Sequence, residues 1–211
     1  MSNVNIEMMR IDERLIHGQG QMWLNALGVN TVIVANDEAS NDTIQQTLMK
    51  TVVPKTIAMR FFSIEKTCEL IHKASPKQKI FLVVKTPEDA LKLIDGGVPV
   101  SEINIGNIHN APGKQSVTRS IFLGDNDKAA LRELLEKHNM KFNTKTTPSG
   151  NDGALEVDIT KYIKGGEING NYFNSRYSYR NLDWILFSWY VIRDIFSTLF
   201  SIIFRGRYYT W

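Results

Sequence analysis

Between Arg10 and Trp23 the chain reads RIDERLIHGQGQMW, which places an imidazole, two guanidinium groups, two carboxylates and two glycines within fourteen positions. His17 has the chemistry of a nucleophile or an acid–base group, because a neutral imidazole holds a proton on one nitrogen and keeps a lone pair on the other. Arg14, three residues upstream, is a fork-shaped donor suited to carboxylate or phosphate oxygens, and Asp12 is spaced to orient either Arg14 or the imidazole. Gly18, Gln19 and Gly20 would offer backbone N–H groups at the start of a helix, where unpaired amides and the helix dipole favour negative charge. Together these residues describe a phosphate or phosphoryl site with a reactive histidine. The plain alternative is a histidine that only packs a loop.

The surrounding pattern says what positions this stretch. Short apolar or alternating runs predict strands over 4–9, 31–35, 57–62, 79–85, 102–105, 120–123 and 141–144. Between them, helices are predicted over 19–27, 42–53, 64–74, 87–94 and 128–139. The fourth helix has the clearest ends: Thr86 suits the N-cap, Pro87 the first helical position, Glu88 and Asp89 the positive end of the dipole, and Gly96 with Gly97 the exit. Repeated strand–helix alternation predicts an α/β fold, a doubly wound and mostly parallel sheet with helices on both faces. Ligands of such sheets bind beyond the carboxyl ends of the strands, near the point where strand order reverses. The loops that follow strands then carry Asp12, Arg14 and His17, followed by Asp37 and Glu38, Lys85, and finally His109 and Lys114.

Position separates the four histidines. His72 falls near the end of a helix, and His138 closes the last one, where positive charge suits the dipole. His109, in NIGNIHNAPGK, shares a glycine-containing loop with Lys114 and reads equally as a site or a packing residue. The glycines after His17 lack the third glycine of a dinucleotide fingerprint, and neither a phosphate-binding Gly-x-x-x-x-Gly-Lys-Ser/Thr motif nor a Gly-x-Ser-x-Gly elbow occurs. Neither a metal nor a cofactor is expected.

The 211 residues carry 25 basic and 22 acidic side chains, a net charge of only +3, with no basic block of the kind that drives nucleic-acid binding. The single cysteine, Cys68, excludes an internal disulfide, fits a reducing cytoplasmic setting and is expected in the core. The first ten residues lack the pattern of a secretory leader, so export is not expected. Residues 166–211 differ in composition: they hold 14 of the 21 aromatic residues and no Lys, Pro or Met. A helix over 184–205 would be strongly amphipathic, with the Arg193–Asp194 pair costly at the centre of a bilayer. The chain is therefore divided into an α/β domain over 1–165 and a tail over 166–211, which is either an interfacial or partner-docking helix or sequence without a selected role.

The stretch RIDERLIHGQGQMW resembles the first loop of the IIB components of mannose/sorbose-type sugar phosphotransferase systems. The resemblance continues in order through VIVANDEAS, QQTLMK, AMRFFSIEK, VVKTPEDA, GGVPVSEINIGNIH and FNTKTTPSG, over roughly residues 5–163, and within the family it is nearest the N-acetylgalactosamine or galactosamine branch. It implies that His17 accepts a phosphoryl group from a IIA partner and passes it to a sugar held by membrane IIC and IID components, with Arg14 assisting. It also implies a location on the inner face of the membrane; a homodimer stays open. The aromatic tail has no counterpart in the family pattern. Two other readings use the same residues: an anion- or ligand-binding regulatory α/β domain without a covalent intermediate, and a membrane-tethered interaction module dependent on the tail.

Overall fold

The computed structural model describes residues 4–18, 20–150 and 156–164. The tail over 166–211 and the helix expected at 184–205 lie outside the described residues. In chain order the elements are β1 (Asn5–Asp12), α1 (Gly20–Leu27), β2 (Thr31–Ala35), α2 (Thr43–Thr51), β3 (Ala58–Phe62), α3 (Ile64–Ile71), β4 (Lys79–Val84), α4 (Pro87–Asp95), β5 (Glu102–Asn107), β6 (Gln115–Ser116), β7 (Phe122–Leu123), α5 (Asp125–His138), β8 (Lys141–Asn143) and α6 (Thr160–Ile163).

Six strands form one sheet in the order β3-β2-β4-β1-β5-β8, with every neighbouring pair parallel. The period-2 alternation of the strands sorts two apolar clusters. Met9, Ile11, Ile33, Ala35, Ile80, Leu82, Ile103 and Ile105 meet residues of α3, α4 and α5. Val32, Val34, Phe81 and Val83 instead meet Trp23 and Leu24 of α1 and Met49 of α2. The sheet is thus covered on both faces, as a parallel sheet must be. The consequence for function lies at β1: its chain leaves toward α1 on one face, while its neighbours β4 and β5 leave toward α4 and α5 on the other. That divergence makes the carboxyl end of β1 the topological switch point, where ligands of such sheets bind.

Local signals account for most boundaries. The Thr86 hydroxyl accepts the Asp89 N–H (3.1 Å) with Pro87 at the first helical turn, and Asp42 and Ser63 cap α2 and α3 in the same manner. Four expectations are corrected. The first strand runs on to Asp12 rather than stopping at residue 9, because Arg10 and Asp12 occupy one strand face and are buried there at 6% and 0% exposure. Helix α5 begins at Asp125, not 128, since the Asp127 carboxylate accepts the Gly124 N–H (2.8 Å) and fixes an earlier first turn. The strand expected at 120–123 is not one of the six strands of the parallel sheet: β7 pairs antiparallel with β6, Ile121 makes only an isolated parallel bridge to Ile108 just past β5, and the place beside β5 itself is taken by β8. Cys68 is half-buried rather than core, packed where a side chain at Gly96 would otherwise stand.

Candidate functional site

Asp12 is the centre of the site. Its carboxylate, fully buried at the end of β1, accepts from Arg10 Nε (3.3 Å) and Nη2 (3.0 Å), and from the Arg14 backbone N–H (3.1 Å), Nε (3.0 Å) and Nη2 (3.2 Å). The same carboxylate lies 3.2 Å from His17 Nε2. Burial works to raise the Asp12 pKa, but the bonds from His17 and Arg14 and the charge of Arg10 outweigh it and hold the carboxyl well below the usual carboxylate range. An ionised carboxylate only accepts, so His17 Nε2 donates the proton of that contact, and in the neutral ring the lone pair falls on Nδ1.

Arg10 is the floor of the site, and sequence reasoning gave it no role. Burial lowers its pKa, with Asp12 opposing that shift. Its guanidinium also donates to Asn104 Oδ1 and lies 5.5 Å from the centre of the Trp23 ring. It stands directly over Gly106, where a Cβ would meet Arg10 Cζ at 2.0 Å, so glycine is required by the close approach. Asn104 in turn donates to the Asn143 side chain and to the Lys145 carbonyl (2.9 Å), while Trp23 Nε1 donates to the Thr146 carbonyl (3.2 Å). The loop after β8 is tied to the site in this way. The detectable signal was the alternation itself: Met9 and Ile11 on one face imply that Arg10 and Asp12 share the other.

The His17 loop returns to Asp12 through a tight turn. The Leu15 N–H donates to the Asp12 carbonyl (2.8 Å), and Leu15 holds φ +57°, a left-handed conformation that a branched side chain resists. Leu15 and Ile16 are 4% and 5% exposed and pack with Trp23 and Leu24, so burial of two apolar side chains sustains the turn. They anchor the loop as expected from sequence. The Gly20 N–H donates to the His17 carbonyl (2.8 Å) and is therefore spent within the turn instead of facing an anion. Gln19 lies outside the described residues. At Gly18 a Cβ would meet nothing within 4 Å among the described residues, and the imidazole beside it is partly exposed.

His109 and Lys114 come together one residue further on. Glu13 lies 2.7 Å from His109 Nδ1 and accepts from Lys114 Nζ (3.3 Å), and Lys114 also reaches Asp127 (3.1 Å). Burial acts against the Lys114 ammonium, but Asp127 and Glu13 raise its pKa above the ordinary lysine value. Asp37 and Lys85 have other partners. Asp37 accepts the Ile64 N–H at the start of α3 (2.9 Å), and Lys85 pairs with Glu38 (2.6 Å). His138 pairs with Asp95 (2.8 Å). Among the described residues no group of His, Cys, Asp and Glu is arranged to hold a metal ion, and no helix is long and apolar enough to cross a membrane.

A doubly wound α/β protein that ends its central strand in a carboxylate-held histidine flanked by an arginine has the parts of a phosphoryl-transfer component. The model of the sorbose subfamily of phosphotransferase-system IIB components matches residues 6–166, and the chain belongs to that family. It is a phosphotransferase component by that membership. It is 50% identical over 131 residues to the N-acetylgalactosamine-specific phosphotransferase enzyme IIB component 2 of Escherichia coli (strain K12), covering 62% of this chain and 83% of that protein. Against the crystal structure of an N-acetylgalactosamine IIB component from Streptococcus pyogenes, the identity is 60% and the TM-score 0.74, over 77% of this chain and all of the other. The IIB domain of the sorbose permease from Klebsiella pneumoniae is 28% identical with a TM-score of 0.68, over 78% of this chain and 99% of that one.

Proposed function

We propose that His17 carries the phosphoryl group, on Nδ1. The observation that supports this reading is the Asp12–His17 contact: beside an ionised carboxylate the neutral ring favours the tautomer with its proton on Nε2, which makes Nδ1 the nucleophile. The Nδ1 lone pair forms the new bond to phosphorus as the P–N bond of a phosphohistidine on the IIA partner breaks, its electron pair returning to that donor nitrogen. No proton need move. The phosphorylated His17 ring is then an imidazolium, and the ionised Asp12 beneath it stabilises the added positive charge. Arg14, partly exposed at the mouth and already oriented by Asp12, is placed to bind phosphoryl oxygens, and Gly18 leaves room for a close approach. Positioning and charge stabilisation of this kind are what phosphoryl transfer chiefly requires.

From His17 the group passes to a sugar held by membrane IIC and IID components, at the cytoplasmic face where those partners meet this chain. The names of the N-acetylgalactosamine relatives support that sugar as the acceptor. Incubation of the full chain with enzyme I, HPr, a IIA partner and phosphoenolpyruvate tests the reading. It expects one acid-labile, base-stable phosphate on His17, of the Nδ1 isomer. A chain that binds anions but forms no covalent phosphate would instead be a regulatory domain.

Arg14→Lys tests the clamp separately. Lysine retains the charge and loses the bidentate fork, so transfer should slow by about tenfold or more, equivalent to about 1.4 kcal/mol. The fold should be unaffected, because one of the three Arg14 bonds to Asp12 comes from its backbone N–H and does not depend on the side chain. Rapid-quench measurement of phosphoryl uptake decides this, and a wild-type rate removes the clamp role.

A further inference from the structure

We propose that Asn107 is a phosphoryl-binding residue whose side-chain amide donates to an oxygen of the phosphoryl group on His17. The proposal rests on His17 being the carrier. Asn107 ends β5 in register with Asp12, across a point where the β1–β5 ladder shifts between Ile11 and Asp12. Its carbonyl accepts the Glu13 N–H (3.0 Å), so its backbone is fixed to the residue between Asp12 and Arg14. Yet its side chain is only 7% exposed, and Nδ2 has no hydrogen-bond partner among the described residues.

An unpaired buried N–H is costly, and such groups call for a reason at the place where they occur. The surrounding acceptors do not supply one. Asp12 is already saturated by Arg10, Arg14 and His17, and Glu13 is engaged by His109 and Lys114. Asn104, three residues earlier on the same strand, shows the contrast: its Nδ2 donates to Asn143 and to the Lys145 carbonyl. A donor kept free beside a site that receives a doubly charged group is suited to pair with that group and with little else. The P–N bond forms at Nδ1 as the donor P–N bond breaks with its electron pair, and the oxygens of the phosphoryl group keep their charge throughout. The Asn107 bond therefore acts on the phosphorylated product as well as on the transition state.

The test uses the full chain and phosphorylated IIA as donor. Asn107→Leu retains comparable bulk without the N–H. It should still be phosphorylated at His17, with uptake about tenfold slower and the phosphoryl partition shifted about tenfold toward the donor, about 1.4 kcal/mol by the usual conversion. Thermal unfolding of the unphosphorylated variant should occur at or above the wild-type temperature, since no existing bond is removed. Wild-type rate and partition in the variant overturn the proposal, as does a lowered melting temperature with an unchanged partition, which is the mark of a packing role. Should the variant fail to fold, the wild type decides: the Asn107 side-chain 15N–1H resonances should shift downfield on phosphorylation, and unmoved resonances overturn the proposal. A wild-type chain that takes up no phosphate refutes the carrier reading itself, an outcome distinct from wild type and variant being phosphorylated alike.

Discussion

Replacing His17 with Gln should abolish phosphoryl uptake from the IIA partner while leaving the fold intact. Glutamine retains a hydrogen-bonding side chain but has no nucleophilic nitrogen, and the turn is held by Leu15 and Ile16 rather than by the imidazole. His72→Gln and His138→Gln should accept phosphate normally: His138 is paired with Asp95 at the end of α5, and His72 closes α3. His109→Gln should be slowed without being abolished, because His109 meets the site through Glu13. Phosphate mapping on acid-labile, base-stable adducts reads all four variants. One acid-labile phosphate remaining on His17→Gln would make another histidine the carrier, with His109 the first to test.

Asp12→Ala should be the most destabilising substitution in the site. It leaves the Arg10 guanidinium, 6% exposed, without its carboxylate in the space between Trp23, Asn104 and Gly106. Breaking one side of a buried ion pair costs about 3–5 kcal/mol. Denaturant unfolding should show that loss, and a change below about 1 kcal/mol would mean that Arg10 finds other partners.

The pH dependence follows from the same carboxylate. The folded Asp12 pKa lies below its unfolded value of about 3.9. The unfolded chain therefore binds more protons as the solution becomes acidic, and the Asp12 contribution is complete above that value and lost as pH falls toward the folded one. Asp12→Asn should flatten this acid limb of the stability curve. An unchanged limb would assign the acid sensitivity to other groups.

How much of this was legible in the sequence depended on the range of the interaction. The caps at Thr86, Pro87 and Gly97, the alternation of strands with helices, and the anchoring of the His17 loop by Leu15 and Ile16 are set by neighbours a few residues away. The sequence therefore displays them directly. The grouping of Asp12, Arg14 and His17 was legible for the same reason, since all three belong to one strand end and its turn. The tertiary structure alone decided the rest. Arg10 becomes the buried support of the site only because β5 brings Asn104 and Gly106 beside β1, and α1 lays Trp23 over it. Lys85 and Asp37 pair elsewhere because their strands end next to Glu38 and α3, whereas His109 and Lys114 reach the site through Glu13. Asn107 stands out only when β5 is placed in register with Asp12 and the surrounding acceptors prove to be taken. Local spacing specifies turns, caps and faces, but which strand lies beside which is fixed by burying both faces of the sheet at once, and that order selects the partners of every charged group at its edge.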